Sequence, residues 1–567
     1  MRQGADFEAA IAHFEAGRFE AAAAVCREVL TAEPAHPHAL HMLAILRAEQ
    51  GHTEEGLAFL QRALATGVIH PAMQHMHGKL LMRLNRNAEA TESLKRSLQI
   101  DPDQPQVVQL LGVALSRLER HTEAEQVLQQ ALTFWPDDAR LLDALGAAYM
   151  AAGRYAEACE PLERAIAADA DFPEVYGNLA VVYEQSNRPE DAERLAAAGF
   201  ARWPEHSTLR LIAARLARHA GDYAAAQEQL LTLQAMSNLS APLQRDIEFE
   251  LGWCADGLGD TDAAFQFFGA AKLRAEALAA PSAELKAIYP RQLEGLMRLY
   301  SGPALPVATL SRAAQPPPAF LLGFPRSGTT LLDTMLDAHG GFKVMEEQPS
   351  IQAMLDAYLA AGFSYPADLL RLTPEAGRDM REAYFRISRE AGWDGSRPLL
   401  DKSPFAAAHV GLLQRIFPGA PLVFLARHPC DVVLSCFMNN FQFNSGTVHF
   451  VRLDTTVRLY CDAMALWLLY RERLPLNHIM LRYEDLVTQP EVELRRLLEF
   501  LGAPWSAAVL DHASHALKRG RIPTPSYRQV SQPLYQSARD RWRRYAAYLE
   551  PHLPALMPYI RAFGYAA

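Results

Sequence analysis

A 34-residue period runs through the first half of the chain and limits the folds open to it. The period is marked by Gly17, Gly51, Asn85, Glu119, Gly153, Asn187 and Gly221. All of these residues favour turns except Glu119. Two series in the same phase hold only small residues: Ala10, Ala44, Gly78, Gly112, Gly146, Ala180 and Ala214 upstream, and Ala22, Gly56, Ala90, Ala124, Ala158, Ala192 and Ala226 downstream. A period of this length predicts a stack of similar units.

Each unit is predicted to be a pair of helices. The small residues let the two helices pack closely, the marker residue forms the turn between them, and a proline ends the second helix. Such prolines are Pro34, Pro102, Pro136 and Pro204. An eighth unit follows after a four-residue slip, with Gly252, Gly259, Ala264 and Ala271 in the corresponding places. The pattern resembles the tetratricopeptide repeat, which implies an all-α superhelix of about eight repeats over residues 1–285.

This resemblance implies a binding role for the first half of the chain. Tetratricopeptide arrays form a concave face that usually holds a peptide or a partner protein, so a protein partner is expected. An array that only scaffolds the next domain, or that forms a homodimer, stays open.

A different pattern begins after residue 285. Residues 286–317 read as a helical and proline-rich linker, and the remainder, residues 318–567, alternates short apolar strands with helical segments. The predicted strands are Ala319–Leu322, Pro398–Leu400, Pro421–Ala426 and His478–Leu481. This alternation predicts an α/β domain with a central, mostly parallel sheet, in which ligands bind at the carboxyl ends of the strands.

The first predicted strand leads into a glycine-rich loop, Gly323-Phe-Pro-Arg-Ser-Gly-Thr-Thr330, and then into a helical pattern. Strand, loop and helix in this order provide backbone N–H groups and a helix N-terminus for a phosphate. The spacing is that of the phosphate-binding loop of nucleotide hydrolases, but Thr329 stands where that motif needs lysine. A kinase or hydrolase acting on a triphosphate with Mg²⁺ is therefore disfavoured.

Three cations follow predicted strands: Arg326, Lys402 and Arg427. Because the carboxyl ends of parallel strands share one edge of the sheet, these side chains are expected to converge. Clustered cations repel each other unless an anion lies between them, so a ligand with several anionic groups is expected.

These motifs resemble those of sulfotransferases. Pro325–Thr330 is similar to their 5′-phosphosulfate loop, and Arg427 with Ser435 is similar to their 3′-phosphate segment. The strongest likeness is to protein-tyrosine sulfotransferases, in Arg326 through Glu347 and in Lys402-Ser-Pro-Phe405. Over nearly its whole length the chain resembles bacterial sulfotransferases with N-terminal tetratricopeptide repeats.

The resemblance implies a donor, 3′-phosphoadenosine 5′-phosphosulfate, and assigns residues to it. Ser327, Gly328, Thr329 and Thr330, with Arg326, would hold the 5′-phosphosulfate. Arg427 and Ser435 would bind the 3′-phosphate, Tyr483 would lie near the adenine, and Arg541 would reach the phosphates.

The resemblance also implies the catalytic residues. Glu347 would be the general base, with Glu346 as the alternative, and Lys402 and Arg326 would stabilise the leaving oxygen. Ser526 would contact the phosphosulfate. No metal is implied, since cations of the protein can serve instead.

The acceptor does not follow from the resemblance. Peptide tyrosine, a glycan, a lipid-linked sugar and a small molecule stay open, as does a nucleotide-binding scaffold without turnover. Asn439 stands where the tyrosine-specific enzymes carry a second arginine for the 3′-phosphate, so part of that contact is weakened or supplied elsewhere.

Charge and composition argue against several other classes of protein. A net charge of −10 and a pI near 6.0 argue against a general nucleic-acid partner. The six scattered cysteines favour reduced thiols. The sequence has neither a signal-peptide pattern nor an apolar run long enough for a membrane span, so a cytoplasmic location is expected.

Overall fold

The computed structural model describes residues 7–566 except 170, 187, 238, 304, 306–315 and 520–538. The chain divides into two compact units, Met1–Ala213 and Ala214–Ala567. The predicted domain boundaries at residues 285 and 317 differ from the boundary between these two units, and they stay predictions. No helix of the described residues is long and apolar enough to cross a membrane.

The first unit consists of helix pairs in the predicted phase. Its helices are α1 (Phe7–Glu15), α2 (Phe19–Ala32), α3 (Pro37–Glu49), α4 (Thr53–Ala65), α5 (Pro71–Arg83), α6 (Asn87–Ile100), α7 (Pro105–Arg117), α8 (His121–Leu132), α9 (Ala139–Ala151), α10 (Tyr155–Ala168), α11 (Pro173–Gln185), α12 (Pro189–Arg202) and the start of α13 (Ser207–His219). The turn inside each pair needs a left-handed residue. Asn85 and Glu119 both adopt it, with φ of 60°. Glu119 therefore keeps the turn geometry although its residue type does not favour it.

The small residues explain how the pairs pack. A Cβ atom added at Gly112 would lie 2.7 Å from Leu128 Cδ1, and one added at Gly146 would lie 2.5 Å from Leu162 Cγ. Each glycine thus makes room for a leucine of the partner helix. The predicted all-α array of helix pairs is confirmed.

The second unit begins with the rest of the array. After the end of α13 it contains α14 (Tyr223–Gln234), α15 (Ala241–Leu258) and α16 (Thr261–Ala279), so that α15 and α16 form the predicted eighth pair. Helix α17 (Ala283–Ser301) follows. Tyr300 of this helix is buried and packs edge-on against Tyr470, with 4.8 Å between the ring centroids. Helix α17 therefore packs into the core that surrounds the sheet.

The rest of the second unit is a five-stranded parallel sheet with helices. Its strands are β1 (Ala319–Gly323), β2 (Lys343–Glu346), β3 (Leu399–Lys402), β4 (Leu422–Ala426) and β5 (His478–Arg482), in the order β2-β3-β1-β4-β5. The α-helices are α18 (Thr329–Ala338), α19 (Ser350–Ala360), α20 (Pro374–Glu390), α21 (Val410–Ile416), α22 (Pro429–Met438), α23 (Leu453–Arg473), α24 (Tyr483–Thr488), α25 (Pro490–Phe500), α26 (His512–Arg519), α27 (Ala546–Leu549) and α28 (Leu553–Ala562). The predicted α/β fold with a central parallel sheet is confirmed.

The sheet differs from the prediction in two details. Strand β2 was not predicted. The second predicted strand ends at Leu400, whereas β3 continues through Asp401 and Lys402. Lys402 is therefore the last residue of a strand. Its register partner on β2 is Glu346, so these two side chains end neighbouring strands at the same edge.

Alternate residues of β1 enter two different cores. Phe320 and Leu322 join the aromatic core that includes Trp467, whereas Leu321 packs with Leu332 and Leu336 of α18. All five residues of β1 are buried, as expected for a strand covered by helices on both faces. The sheet is thus covered by helices, and its carboxyl edge carries the polar residues.

Candidate active site

Lys402 is the centre of a cluster of charges at the carboxyl edge of the sheet. Its side chain is 0% exposed, and its Nζ lies 2.7 Å from Glu347 Oε1, 3.0 Å from Glu346 Oε1 and 3.5 Å from Asp333 Oδ2. Burial lowers the pKa of Lys402, but the charges of Asp333, Glu346 and Glu347 outweigh burial and hold this pKa above its ordinary value. Lys402 is therefore a fixed positive charge.

The carboxylates around Lys402 differ in exposure. The side chains of Asp333 and Glu346 are 0% and 5% exposed, whereas that of Glu347 is 47% exposed. Only Glu347 can thus meet an incoming molecule while the other two keep Lys402 in place. The backbone of Glu347 is left-handed, with φ of 46°, and its N–H donates to Lys402 O over 2.9 Å. Such a conformation is uncommon outside glycine, asparagine and aspartate, and it clusters at functional sites.

The glycine-rich loop is shaped by Gly328 and Tyr483. Gly328 has a φ of 98°, and a Cβ atom added there would lie 2.4 Å from Tyr483 Cδ2. Tyr483 is buried beneath the loop, and its ring lies under the Arg427 guanidinium at 4.8 Å. Burial raises the pKa of the Tyr483 hydroxyl. Tyr483 therefore supports the loop and Arg427, and its predicted place near an adenine stays a prediction.

Two of the predicted phosphate residues are linked directly to the loop. Arg326, with φ of 71°, donates from Nε to Ser435 Oγ over 3.1 Å. Arg427 donates from Nη1 to the carbonyl oxygen of Arg326 over 3.0 Å. Arg326, Arg427 and Ser435 thus form one group at the start of α18 and along α22. The structure joins the Arg326 guanidinium to Ser435, on the side predicted for the 3′-phosphate.

Ser327, Thr329 and Thr330 lie at the start of α18 and are all buried. The Ser327 side chain is 1% exposed, and its Oγ has no hydrogen-bond partner among the described residues. The Ser327 N–H donates within the loop, to Phe324 O over 3.1 Å. A buried hydroxyl without a partner at the N-terminus of a helix suits an anionic oxygen, because the first N–H groups of a helix lack partners within it.

Two predicted residues remain, Arg541 and Ser526. Arg541 lies over the Trp253 ring of α15, with its guanidinium carbon 5.6 Å from the ring centroid. Its segment is held by Asp431 of α22, which accepts hydrogen bonds from the N–H groups of Asp540 and Trp542. Ser526 lies outside the described residues.

Sequence reasoning missed Asp333 and Asp431. Asp333 is the single acidic residue in the first two turns of α18, among apolar and hydroxyl-bearing residues. An isolated acidic residue at such a place is the sequence signal that could have indicated it. Asp431 gave no such signal, because an acidic residue in the first turn of a helix is ordinary. Its two hydrogen bonds reach residues more than one hundred positions away.

We expect Gly328→Ala to destabilise the protein more than Gly340→Ala does. Both glycines have a positive φ, 98° and 73°, and each substitution costs about 1–2 kcal/mol from the backbone conformation alone. A Cβ atom at Gly340 meets nothing within 4 Å, whereas one at Gly328 collides with Tyr483. Urea unfolding midpoints of both variants measure the difference. Equal losses would show that Tyr483 does not hold the loop.

Comparison with known proteins finds family models that match each part of the chain. The model of the Sulfotransferase family matches residues 317–507. Tetratricopeptide repeat models match residues 13–80, 81–148 and 149–202, and also 178–233 and 211–280. The family matches thus follow the change of pattern seen in the sequence.

The relatives include enzymes named for tyrosine sulfation. The chain is 30% identical over 241 residues to "Protein-tyrosine sulfotransferase 1" of Danio rerio, covering 40% of this chain and 65% of that protein. It is 28% identical over 219 residues to "Nodulation protein NoeE" of Sinorhizobium fredii, covering 34% and 52%. An uncharacterized protein of Aquifex aeolicus is 32% identical over 247 residues, covering 42% and 32%. The chain thus spans about one third to two thirds of these relatives.

The solved structures that match include tetratricopeptide repeat proteins. A tetratricopeptide repeat protein from Parabacteroides merdae is 16% identical, covers 44% of this chain and 96% of its own, and has a TM-score of 0.40. In the second half, the residues that match the Sulfotransferase family model include the five-stranded parallel sheet. The chain thus joins a stretch that matches tetratricopeptide repeat models to a stretch that matches the model of the Sulfotransferase family.

Proposed function

We propose that this protein transfers the sulfuryl group of 3′-phosphoadenosine 5′-phosphosulfate to an acceptor hydroxyl, with Glu347 as the general base. The observation that carries the proposal is the contact between Glu347 and the buried Lys402, at the sheet edge next to the glycine-rich loop. A base and a fixed positive charge are the two groups that transfer of an anionic group to a hydroxyl requires.

The residues present fit an adenosine nucleotide with phosphates at two positions. The unpartnered Ser327 Oγ and the first N–H groups of α18 suit the 5′-phosphosulfate. Arg427 and Ser435, joined through Arg326, suit the 3′-phosphate. Thr329 in place of a lysine disfavours a triphosphate with Mg²⁺, because that lysine pairs the terminal phosphates.

Glu347 and Lys402 have different roles in the proposed transfer: Glu347 accepts a proton, and Lys402 stabilises negative charge. The donor supplies an activated sulfuryl group on a good leaving group. Glu347 accepts the proton of the acceptor hydroxyl while the acceptor oxygen forms a bond to sulfur. The bond from sulfur to the bridging oxygen breaks, its electron pair stays on the 5′-phosphate, and Lys402 with Arg326 stabilises that charge. No metal is needed for this balance of charge.

The Glu347–Lys402 contact has to open when the substrates enter. In an in-line transfer, the base acts at the acceptor oxygen and the cation acts at the leaving oxygen, with sulfur between them. Glu347 is free to move, since its side chain is half exposed. Lys402 stays charged and in place, because Glu346 and Asp333 remain within 3.0 and 3.5 Å.

Peptide tyrosine is the acceptor that we favour. The relatives named protein-tyrosine sulfotransferases support it, and the repeat array offers a surface of the kind that holds polypeptides. Glycan or small-molecule hydroxyls would use the same chemistry. The array would then bind a different protein partner or form a homodimer.

Transfer of labelled sulfate tests the proposed function. The protein is incubated with donor that carries radioactive sulfur and with separate pools of tyrosine peptides, matched phenylalanine peptides, oligosaccharides and small molecules that carry hydroxyl groups. We expect label in the tyrosine peptides alone. Label in the oligosaccharides alone would assign a glycan acceptor. Binding of donor without label in any pool, a small-molecule pool included, would contradict the enzyme and favour a nucleotide-binding scaffold.

We expect Arg427→Ala to weaken the binding of 3′,5′-adenosine bisphosphate by about 10- to 150-fold, the loss typical of one charge-assisted phosphate contact. Calorimetric titration measures the affinity. Arg378→Ala is the matched control, because Arg378 lies on α20, is 65% exposed and pairs only with Glu375 among the described residues. Equal affinity of wild type and Arg427→Ala would exclude Arg427 from the donor site.

A further inference from the structure

Lys272 of α16 is a buried lysine. Its side chain is 1% exposed, and its Nζ donates to Cys436 O over 3.2 Å. The Phe441 ring lies 5.4 Å from the same atom. In the part of the chain that the structure describes, no aspartate or glutamate forms an ion pair with Lys272. Buried charges are normally paired, so this lysine needs an explanation.

The position of Lys272 follows from the face that α16 presents to α22. Phe265, Gly269 and Lys272 fall on one side of α16, at intervals of four and three residues. Phe265 lies 4.8 Å from Phe437 between ring centroids, and a Cβ atom added at Gly269 would lie 4.0 Å from Phe437 Cζ. The last repeat helix therefore packs on α22, the helix that carries Ser435.

Lys272 contacts the residue next to Ser435, the hydrogen-bond partner of Arg326. Cys436 follows Ser435 directly, and its thiol is buried between the loop and α22, with Sγ 3.4 Å from Pro325 O. Burial raises the pKa of the Cys436 thiol to about 12, and the charges of Arg326, Lys272 and Arg427 oppose this rise. One thiol thus lies within electrostatic range of all three cations.

If Lys272 only capped the C-terminal end of α22, it would use only one of its N–H donors. An ammonium group has three N–H donors, and Lys272 uses one of them on a carbonyl oxygen near the end of α22. Burial lowers the pKa of Lys272 to about 7, which shows how little its surroundings compensate the charge. Asn439, the residue directly after α22, is uncharged and donates to Ser435 O over 2.8 Å. An anion bound next to Lys272 would supply this compensation.

We propose that Lys272 is a donor-binding residue, through which the last tetratricopeptide repeat supplies a positive charge to the 3′-phosphate site of an adenosine nucleotide. This inference rests on the proposed function. It makes α16 part of the nucleotide site and gives the repeat array a role in the chemistry of the second unit.

Four titrations test the inference: wild type and Lys272→Met, each with 3′,5′-adenosine bisphosphate and with AMP. We expect Lys272→Met to weaken bisphosphate binding by about 10- to 150-fold and to leave AMP binding nearly unchanged. The preference for bisphosphate within one variant is insensitive to a general loss of folded protein. Lys286→Met is the matched control, because Lys286 is 42% exposed and already paired with Glu276.

The outcomes separate this inference from the proposed function. If wild type itself binds bisphosphate no better than AMP, recognition of the 3′-phosphate fails, and the proposed donor fails with it. If wild type prefers bisphosphate and Lys272→Met keeps the same preference, only the inference is overturned. Lys272→Gln, measured in the same way, replaces Lys272→Met if the methionine variant does not fold.

Thermal unfolding without nucleotide gives a second readout. Replacing a buried, uncompensated charge by an apolar side chain of similar length is often neutral or stabilising. We therefore expect the Tm of ligand-free Lys272→Met to equal or exceed that of wild type, while the increase in Tm caused by bisphosphate becomes smaller. A lower ligand-free Tm with an unchanged bisphosphate effect would show that Lys272 is a structural cap of α22.

Discussion

Glu347→Gln is expected to lower sulfuryl transfer by a factor on the order of 10²–10⁴, the usual contribution of a general base. Glutamine keeps the size and the hydrogen-bonding reach of Glu347 but cannot accept the proton of the acceptor hydroxyl. Since Glu347 is not one of the proposed nucleotide contacts, the affinity for 3′,5′-adenosine bisphosphate should stay unchanged. Initial rates of sulfate transfer and calorimetric titration measure the two quantities separately.

The neighbouring glutamate distinguishes the two candidates for the base. Glu346 is buried against Lys402, with 5% of its side chain exposed, so an acceptor cannot reach it as it can reach Glu347. We expect Glu346→Gln to lose less activity than Glu347→Gln, and to lose it through a displaced Lys402. Glu375→Gln, at a site 71% exposed on α20, is the surface control. A larger loss in Glu346→Gln than in Glu347→Gln would reverse the assignment of the base.

Lys402→Met is expected to damage both stability and turnover. The substitution leaves Asp333, Glu346 and Glu347 as neighbouring carboxylates without their common cation. Removing one partner of a buried ion pair costs about 3–5 kcal/mol, because the charge that remains is buried and unpaired. Transfer should fall as well, since the leaving oxygen loses its nearest fixed positive charge. Urea unfolding at neutral pH and initial rates measure the two losses.

The pH dependence of the Lys402→Met deficit has a definite sign. In wild type the pKa of Lys402 is raised in the folded state. Its stabilisation is therefore complete below the pKa of an unfolded lysine and is lost only as the pH rises through the folded pKa. The deficit of Lys402→Met should therefore be the same at about pH 6 and about pH 9, and it should become smaller only as the pH rises above about 10.4, the pKa of an unfolded lysine.

A surface lysine provides the comparison for Lys402. Lys286→Met removes a half-exposed lysine with one glutamate partner, Glu276, and should cost little at either pH. A Lys402→Met protein as stable as Lys286→Met would mean that the three carboxylates do not depend on Lys402. The electrostatic account of the site would then be wrong.

The repeat array could be predicted from the sequence because its signal is local and repeated. Each unit places the turn residue and the small residues at fixed positions, and the phase continues through Glu119, whose residue type does not favour a turn. The structure gives Glu119 the same φ as Asn85, 60°. The packing of small residues against leucines, as at Gly112 and Leu128, follows the same phase.

The sheet and the site were predicted less completely. Strand β2 has four residues, with a lysine at one end and a glutamate at the other, so it lacks the apolar run that marked the other strands. The motifs predicted Glu347, Glu346, Lys402, Arg326 and Arg427, but neither Asp333 nor Lys272. Asp333 meets Lys402 only because α18 packs on the sheet, and Lys272 reaches Cys436 across 164 positions of sequence. Contacts of this kind depend on tertiary packing, which a local pattern does not encode.

Calorimetric titration with 3′,5′-adenosine bisphosphate, beside ATP with Mg²⁺, tests the central claim most directly. The bisphosphate is the donor without its sulfuryl group, so it occupies the proposed phosphate sites without reacting. We predict that the bisphosphate binds with micromolar affinity and that ATP with Mg²⁺ binds far more weakly. Binding of ATP with Mg²⁺ and no binding of the bisphosphate would contradict the sulfotransferase account and require a kinase or hydrolase in its place.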